Sequence, residues 1–277
     1  AAQAAPPPRE SPRLGTAVIV GLGLVGGSMA IDIRANGLAR RIVGVETNPR
    51  HAAVALDRGL VDDIRGPGDS LQDADLIVLA VPVDAIERLA PAVLDAAGPQ
   101  SVVVDTGSTK RAICEAVAGH RRRGQFVAAH PIAGTEHSGP GAALDGLFRN
   151  NVNIVCDRDR SSGQALDTAL GLFEAPGLRT RYMDAVEHDR HLAYVSHLSH
   201  ITSFVLGETV LAIERDERNI LLLAGSGLQS TVRLAMSPPT MWGPIFGHNA
   251  AAILEALDQY IANLQEFRGA IAARNIG

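Results

Sequence analysis

The chain has 277 residues, a net charge of −5, 46% hydrophobic and 20% charged residues. That length allows a substantial core and most naturally two domains. The composition is that of an ordinary soluble globular protein, and the acidic balance leaves no basic footprint for nucleic acid. No apolar run approaches the length of a membrane span. Cys114 and Cys156 make neither a disulfide framework nor a zinc pattern, so a reducing, cytoplasmic setting is expected.

Residues 1–14, rich in Ala and Pro, lack the apolar stretch of a signal peptide and are expected to be a disordered tail. The apolar run Thr16–Val20 predicts a strand, and Gly21-Leu-Gly-Leu-Val-Gly26 opens a helix to about Asn36 with Gly37 at its end. Ile42–Glu46 predicts a second strand, with a helix to about Arg58. Further strands are expected at Leu76–Val81, Ser101–Asp105, Phe126–Ala129, Val152–Cys156 and Leu178–Tyr182. Helices are expected near 84–96, 109–122 and 162–174. Strands alternating with helices imply parallel crossovers and a doubly wound sheet over residues 15–184. Asp184-Ala-Val-Glu187 reads as a capping box, and residues 185–277 are expected to be all helical. Leu192, Val195, Leu198, Ile201, Val205 and Leu206 recur at helical spacing. So do Ile253, Leu257, Ile261 and Leu264 in a long helix from about Asn249 to Arg274. Such apolar helices predict that this half packs against a second copy as a homodimer.

Gly21-x-Gly23-x-x-Gly26 between a strand and a helix is the pattern of a Rossmann-type dinucleotide site. Gly21 allows the turn, Gly23 lets a pyrophosphate approach the backbone, and Gly26 lets helix and strand pack closely. The loop residues Leu24 and Val25 lie at the helix start, whose amides and dipole favour phosphate. Glu46 stands 20 residues after Gly26, where a carboxylate binds the adenosine ribose and repels a 2′-phosphate; NAD is therefore expected over NADP. Val81 and Pro82, at the end of the next strand, would wall the cofactor's far side.

His130-Pro-Ile-Ala-Gly-Thr-Glu136 follows a predicted strand, which puts an imidazole where open α/β sheets hold ligands. In Asp105-Thr-Gly-Ser108-Thr-Lys110, Ser108 suits a helix N-cap, or a bond to a substrate hydroxyl or the nicotinamide. Lys110 is the only lysine beside 24 arginines; it is either a plain surface residue or an electrostatic support for the site. His188, His191, His197 and His200 lie close in sequence, but a straight helix sends His188 and His197 to opposite sides, so no metal site is expected. Arg233, amid apolar residues, calls for either an anionic substrate or an internal salt bridge.

Taken together, these motifs resemble the prephenate/arogenate dehydrogenase family of tyrosine biosynthesis. The resemblance rests on Gly21–Ser28, Asp105–Lys110, His130–Glu136, Glu187-His-Asp189 with Ser196–His200, and Ser230-Thr-Val-Arg233 with Trp242. It covers nearly all of residues 15–270 and implies a dinucleotide-binding domain plus a helical dimerisation domain. It implies NAD-dependent oxidative decarboxylation of prephenate to 4-hydroxyphenylpyruvate, or of arogenate to tyrosine. His130 would accept the ring hydroxyl's proton, and Ser108 would hold that hydroxyl or orient His130. His200 and Arg233 would bind the substrate's polar and carboxylate groups, while Thr135 and Glu136 would line or gate the pocket. Ser199 departs from the proline that many relatives carry between the two histidines. Neither a chorismate mutase nor a C-terminal regulatory domain is expected. Two other readings stay open. A β-hydroxyacid dehydrogenase would want a lysine on its second domain, and a non-catalytic dinucleotide sensor would have no need of His130, Ser108 and Arg233 together.

Overall fold

A computed structural model describes residues 14–217 and 219–275. Its sheet has eight strands: β1 (Leu14–Val20), β2 (Ala39–Val45), β3 (Asp63–Arg65), β4 (Leu76–Leu79), β5 (Val102–Asp105), β6 (Phe126–Pro131), β7 (Val152–Cys156) and β8 (Arg179–Met183). They lie in the order β3-β2-β1-β4-β5-β6-β7-β8. The first six carry the doubly wound order, whose reversal between β1 and β4 opens a crevice at the strands' carboxyl ends. The central strands are buried throughout and apolar but for Asp105 at the end of β5, as Leu-Ile-Val-Leu in β4 and Val-Val-Val-Asp in β5 show. Such continuous runs suit strands covered on both faces.

Side chains of alternate residues build two cores. Ile19, Val78, Val104, Val127 and Ala129 face α1 (Leu24–Ala35) and, later in the chain, α5 (Gly163–Glu174). Val18, Ile77, Val103, Phe126 and Ala128 face α3 (Val83–Ala96) and α4 (Arg111–Val117). Helix α2 (Pro49–Asp57) is capped by Asn48.

Three expectations need correction. Leu14 is already strand, paired with Ala39, while the rest of the expected tail lies outside the described residues. β7 runs antiparallel to β6, with His130 opposite Ile154. The intervening residues form only a short 3₁₀ turn at Pro140–Ala142, and without a crossover helix the chain returns alongside in the opposite sense. β3 was not expected; its three residues are too few to show a period.

Beyond Met183 the described residues contain helices and no strand: α6 (Ala185–Leu192), α7 (Leu198–Asp216), α8 (Ser226–Val232), α9 (Pro239–His248) and α10 (Ala250–Ala272). The Asp184 side chain caps α6, accepting from the Glu187 amide at 2.8 Å. The helical half joins the sheet half where Val83 packs on Trp242 and Ile245, and where Ala185 and Leu192 enter the α3–α4 core. Many apolar side chains of the helices stay exposed, among them Val195, Val205, Leu254, Leu264 and Phe267. No described helix is long and apolar enough to cross a membrane.

Candidate active site

The β1–α1 loop is shaped by steric necessity. Gly21 has φ +94°, and a Cβ there would lie 2.6 Å from the Ala80 carbonyl oxygen. A Cβ on Gly26 would come 2.0 Å from the Gly21 carbonyl oxygen, so helix and loop touch backbone to backbone. Space is open beside Gly23, and α1 has no side-chain cap, which leaves its first amides for an anion. Glu46 reaches this loop: its carboxylate accepts from the Leu22 amide at 3.2 Å and the Asn48 amide at 2.9 Å. Val81 borders Gly21, and Pro82 precedes α3. An open glycine, free helix amides and a carboxylate at the end of the second strand together fit a dinucleotide.

His130 lies near the carboxyl end of β6. Alternation along the strand puts its side chain on the face of Phe126 and Ala128, toward α4 and α6. It is 8% exposed, and its Nδ1 is 2.8 Å from Nε2 of the fully buried His188. His188 Nδ1 is 2.7 Å from Oδ1 of Asp189. The same carboxylate accepts from the amides of Lys110 at 2.7 Å and Arg111 at 3.0 Å, and so caps α4 across the junction between the two halves. Ser108 therefore is not the cap. The helix starts three residues later, and Ser108 stays half-buried with no hydrogen bond to its hydroxyl among the described residues.

These contacts settle the tautomers. An anionic Asp189 accepts a hydrogen bond from His188 Nδ1–H, which makes His188 Nε2 an acceptor. His130 Nδ1 must then donate, and His130 Nε2 carries a lone pair. Burial, helped by His188, Lys110 and His197, pushes the His130 pKa well below that of a free imidazole. Burial also lowers His188, against the pull of Asp189, while its partners hold the Asp189 carboxyl below the usual carboxylate range despite its burial.

Lys110 is neither a surface residue nor a distant one. Wholly buried, it ion-pairs with Asp105, and its Nζ donates to the Ala129 carbonyl at 2.7 Å. Asp105 also accepts from the Ala129 amide at 3.1 Å and the Gly107 amide at 2.9 Å. The residue before His130 is thus held at both its amide and its carbonyl.

His188 and His197 do not diverge as a straight α-helix would send them. Ala193–His197 forms a π-helical turn, which rotates the chain by less than 100° per residue and re-phases the start of α7. Asn249 donates to the Asp189 carbonyl at 2.6 Å and sits 3.1 Å from His197 Nδ1, so both histidines converge on one buried polar cluster. His197 then carries its proton on Nε2. That atom and Trp242 Nε1 are buried without a hydrogen-bond partner among the described residues. Burial drives the His197 pKa down to about 4.

His200 stacks on Trp242 with ring centroids 3.6 Å apart, and its Nδ1 donates to the Ser196 carbonyl at 3.0 Å. Burial lowers its pKa, as does the nearby charge of Arg233. Arg233 itself is about half exposed and meets Glu136 at 3.2 Å, closing the loop after His130 onto the helical half. Thr135 is exposed; its hydroxyl accepts from the His137 amide. Sequence reasoning missed His188, Asp189, His197 and Asn249 as partners in the site of His130, Arg233 and Trp242. The His188-Asp189 pair was visible, but the π turn that aligns it with His197 was not. Among the described residues no three His, Cys, Asp or Glu side chains are placed to hold a metal ion.

A glycine loop at the switch point, with a neutral buried imidazole on a neighbouring strand, defines a dinucleotide-dependent oxidoreductase with a helical second half. Residues 29–182 match the family described as "Prephenate dehydrogenase, nucleotide-binding domain", and residues 184–276 match "Prephenate dehydrogenase, dimerization domain". The chain belongs to the prephenate dehydrogenase family. It is 33% identical to a cyclohexadienyl dehydrogenase of Zymomonas mobilis over 93% of this chain and 88% of that one. A crystal structure of Aquifex aeolicus prephenate dehydrogenase, in complex with hydroxyphenyl propionate and NAD+, aligns at TM-score 0.88 with 28% identity, over 96% of this chain and 93% of that one. Synechocystis arogenate dehydrogenase aligns at TM-score 0.74 with 27% identity, over 94% and 93%.

Proposed function

We propose that this protein is a cytoplasmic, homodimeric, NAD-dependent dehydrogenase that converts prephenate to 4-hydroxyphenylpyruvate with loss of CO₂. The observation that carries the chemistry is the tautomer of His130: a buried, neutral ring whose Nδ1 is committed to His188 and whose Nε2 is free to accept a proton. Bound nicotinamide supplies the hydride acceptor. His130 Nε2 takes the proton of the substrate's ring hydroxyl as the C–H bond on the same carbon breaks. Departure of the ring carboxylate as CO₂ then leaves an aromatic ring. Ser108, with its free hydroxyl, holds the substrate hydroxyl. His200 and Arg233 bind polar and carboxylate groups, and the unpartnered Nε2–H of His197 is a further donor. Thr135 and Glu136 line the entrance, Glu136 through its pair with Arg233.

Gly21, Gly23, Leu24, Val25, Gly26, Glu46, Val81 and Pro82 hold the dinucleotide. Residues 15–184 form the cofactor-binding unit, and 185–277 the helical unit. The exposed apolar side chains of the helical unit support pairing of two copies through it. Arogenate is the second reading, favoured by the likeness to the Synechocystis arogenate dehydrogenase.

Absorbance at 340 nm with NAD⁺ and each substrate in parallel tests the assignment. Turnover of neither would refute it. His130→Asn keeps an amide beside His188 and loses the Nε2 acceptor. It should cost about 10²–10⁴-fold in kcat while NAD⁺ still binds.

A further inference from the structure

Transfer of the substrate's proton would place a positive charge on His130, which is enclosed by protein. Burial disfavours an imidazolium there. The groups facing it are the Lys110–Asp105 ion pair, His188 and His197, and none of these is a carboxylate in contact with its ring. His188 is placed differently. Its far nitrogen meets the Asp189 carboxylate at 2.7 Å, and the α4 amides hold that carboxylate still.

We propose that Asp189, His188 and His130 form a proton relay in which the charge developed during oxidation comes to rest on His188 rather than on His130. The proposal rests on the assignment of His130 as the proton acceptor. As the substrate O–H bond breaks, a new N–H bond forms at His130 Nε2. The proton on His130 Nδ1 passes to His188 Nε2, whose nitrogen lies 2.8 Å from Nδ1. His130 ends neutral with its tautomer inverted. His188 ends as an imidazolium with Nδ1–H still donated to Asp189, and Asp189 is not protonated. Proton and charge balance, and no further reactant is needed. His188 and Asp189 are positioning residues, since neither is proposed to touch the substrate. The relay also explains why Asp189 links the helical half to the start of α4: one carboxylate aligns the helix and balances the charge.

Three variants test this, each measured for NAD⁺ affinity, kcat, KM and the pH profile. His188→Gln places an amide oxygen near the former Nε2; it can accept the His130 N–H but cannot take up a proton. It should lose about 10²-fold or more in kcat with KM little changed. Asp189→Asn should also lose kcat, and the acid limb of its kcat profile should move to lower pH, because the carboxylate no longer favours the protonated pair. A merely structural role would scale the profile without moving that limb. Wild-type kcat in His188→Gln, or an unmoved limb in Asp189→Asn, overturns the relay. If Asp189→Asn fails to fold, His188→Gln decides alone. His130→Asn separates the two hypotheses: retained turnover there sinks the assignment of His130 itself, whereas a dead His130→Asn beside an active His188→Gln sinks only the relay.

Discussion

Replacing Lys110 by Met tests how the site is held. The ammonium and the Asp105 carboxylate are both fully buried, so the substitution strands an anion without its counter-charge. It also removes the donor to the Ala129 carbonyl. Removing one partner of a buried pair costs about 3–5 kcal/mol, because the survivor's desolvation is no longer offset. For a chain of this size that corresponds to a fall in Tm on the order of 10 °C. Methionine matches the lysine stem closely enough that little of the loss arises from packing. A second variant, Lys110→Met with Asp105→Asn, removes the stranded charge and keeps an acceptor for the Ala129 or Gly107 amide. It should recover a measurable part of the loss. Urea denaturation followed by circular dichroism measures both. A single variant within about 1 kcal/mol of wild type, or a double variant less stable than the single, would refute the reasoning.

Glu46→Arg removes the carboxylate at the glycine loop and supplies a partner for a 2′-phosphate; kcat/KM for NADP⁺ relative to NAD⁺ should rise at least about tenfold, and an unchanged ratio counts against the site. Burial holds His130 below the ordinary imidazole range, so the acid limb of kcat/KM should have its midpoint below that of a free imidazole; a midpoint at or above the free-imidazole value would contradict the placement. His197, held at about 4, should make stability fall as pH drops from ~6.5 toward 4, since only the unfolded chain takes up the proton in that window; urea midpoints that stay level across that range would contradict its burial as a neutral ring. Leu264→Asp places a charge on an apolar, half-exposed face of α10; light scattering should then show monomer where wild type shows dimer, and a wild-type monomer at micromolar concentration removes the basis for the test.

Much of this protein could be read from the chain alone, because the relevant physics is local. The apolar runs of β4 and of Val102–Val104 in β5, the glycine loop with Glu46 at its spacing, and the end of the strand pattern at Met183 each depend on neighbours a few residues away. His130 was legible as a strand-end imidazole for the same reason. The features that could not be read depend on groups far apart in sequence. The antiparallel return of β7 comes from a missing crossover helix. The burial of Lys110 comes from packing between β5 and β6. The convergence of His188, His197 and Asn249 depends on a π turn, and a hydrophobic period taken for a straight helix assigns those side chains to the wrong faces. Asp189 is the clearest case. As one carboxylate beside a histidine it says little, but the tertiary structure makes it the cap of a distant helix and the anchor of His130. Charge and hydrogen-bond satisfaction in a buried site are properties of the assembled groups, and only the fold brings those groups together.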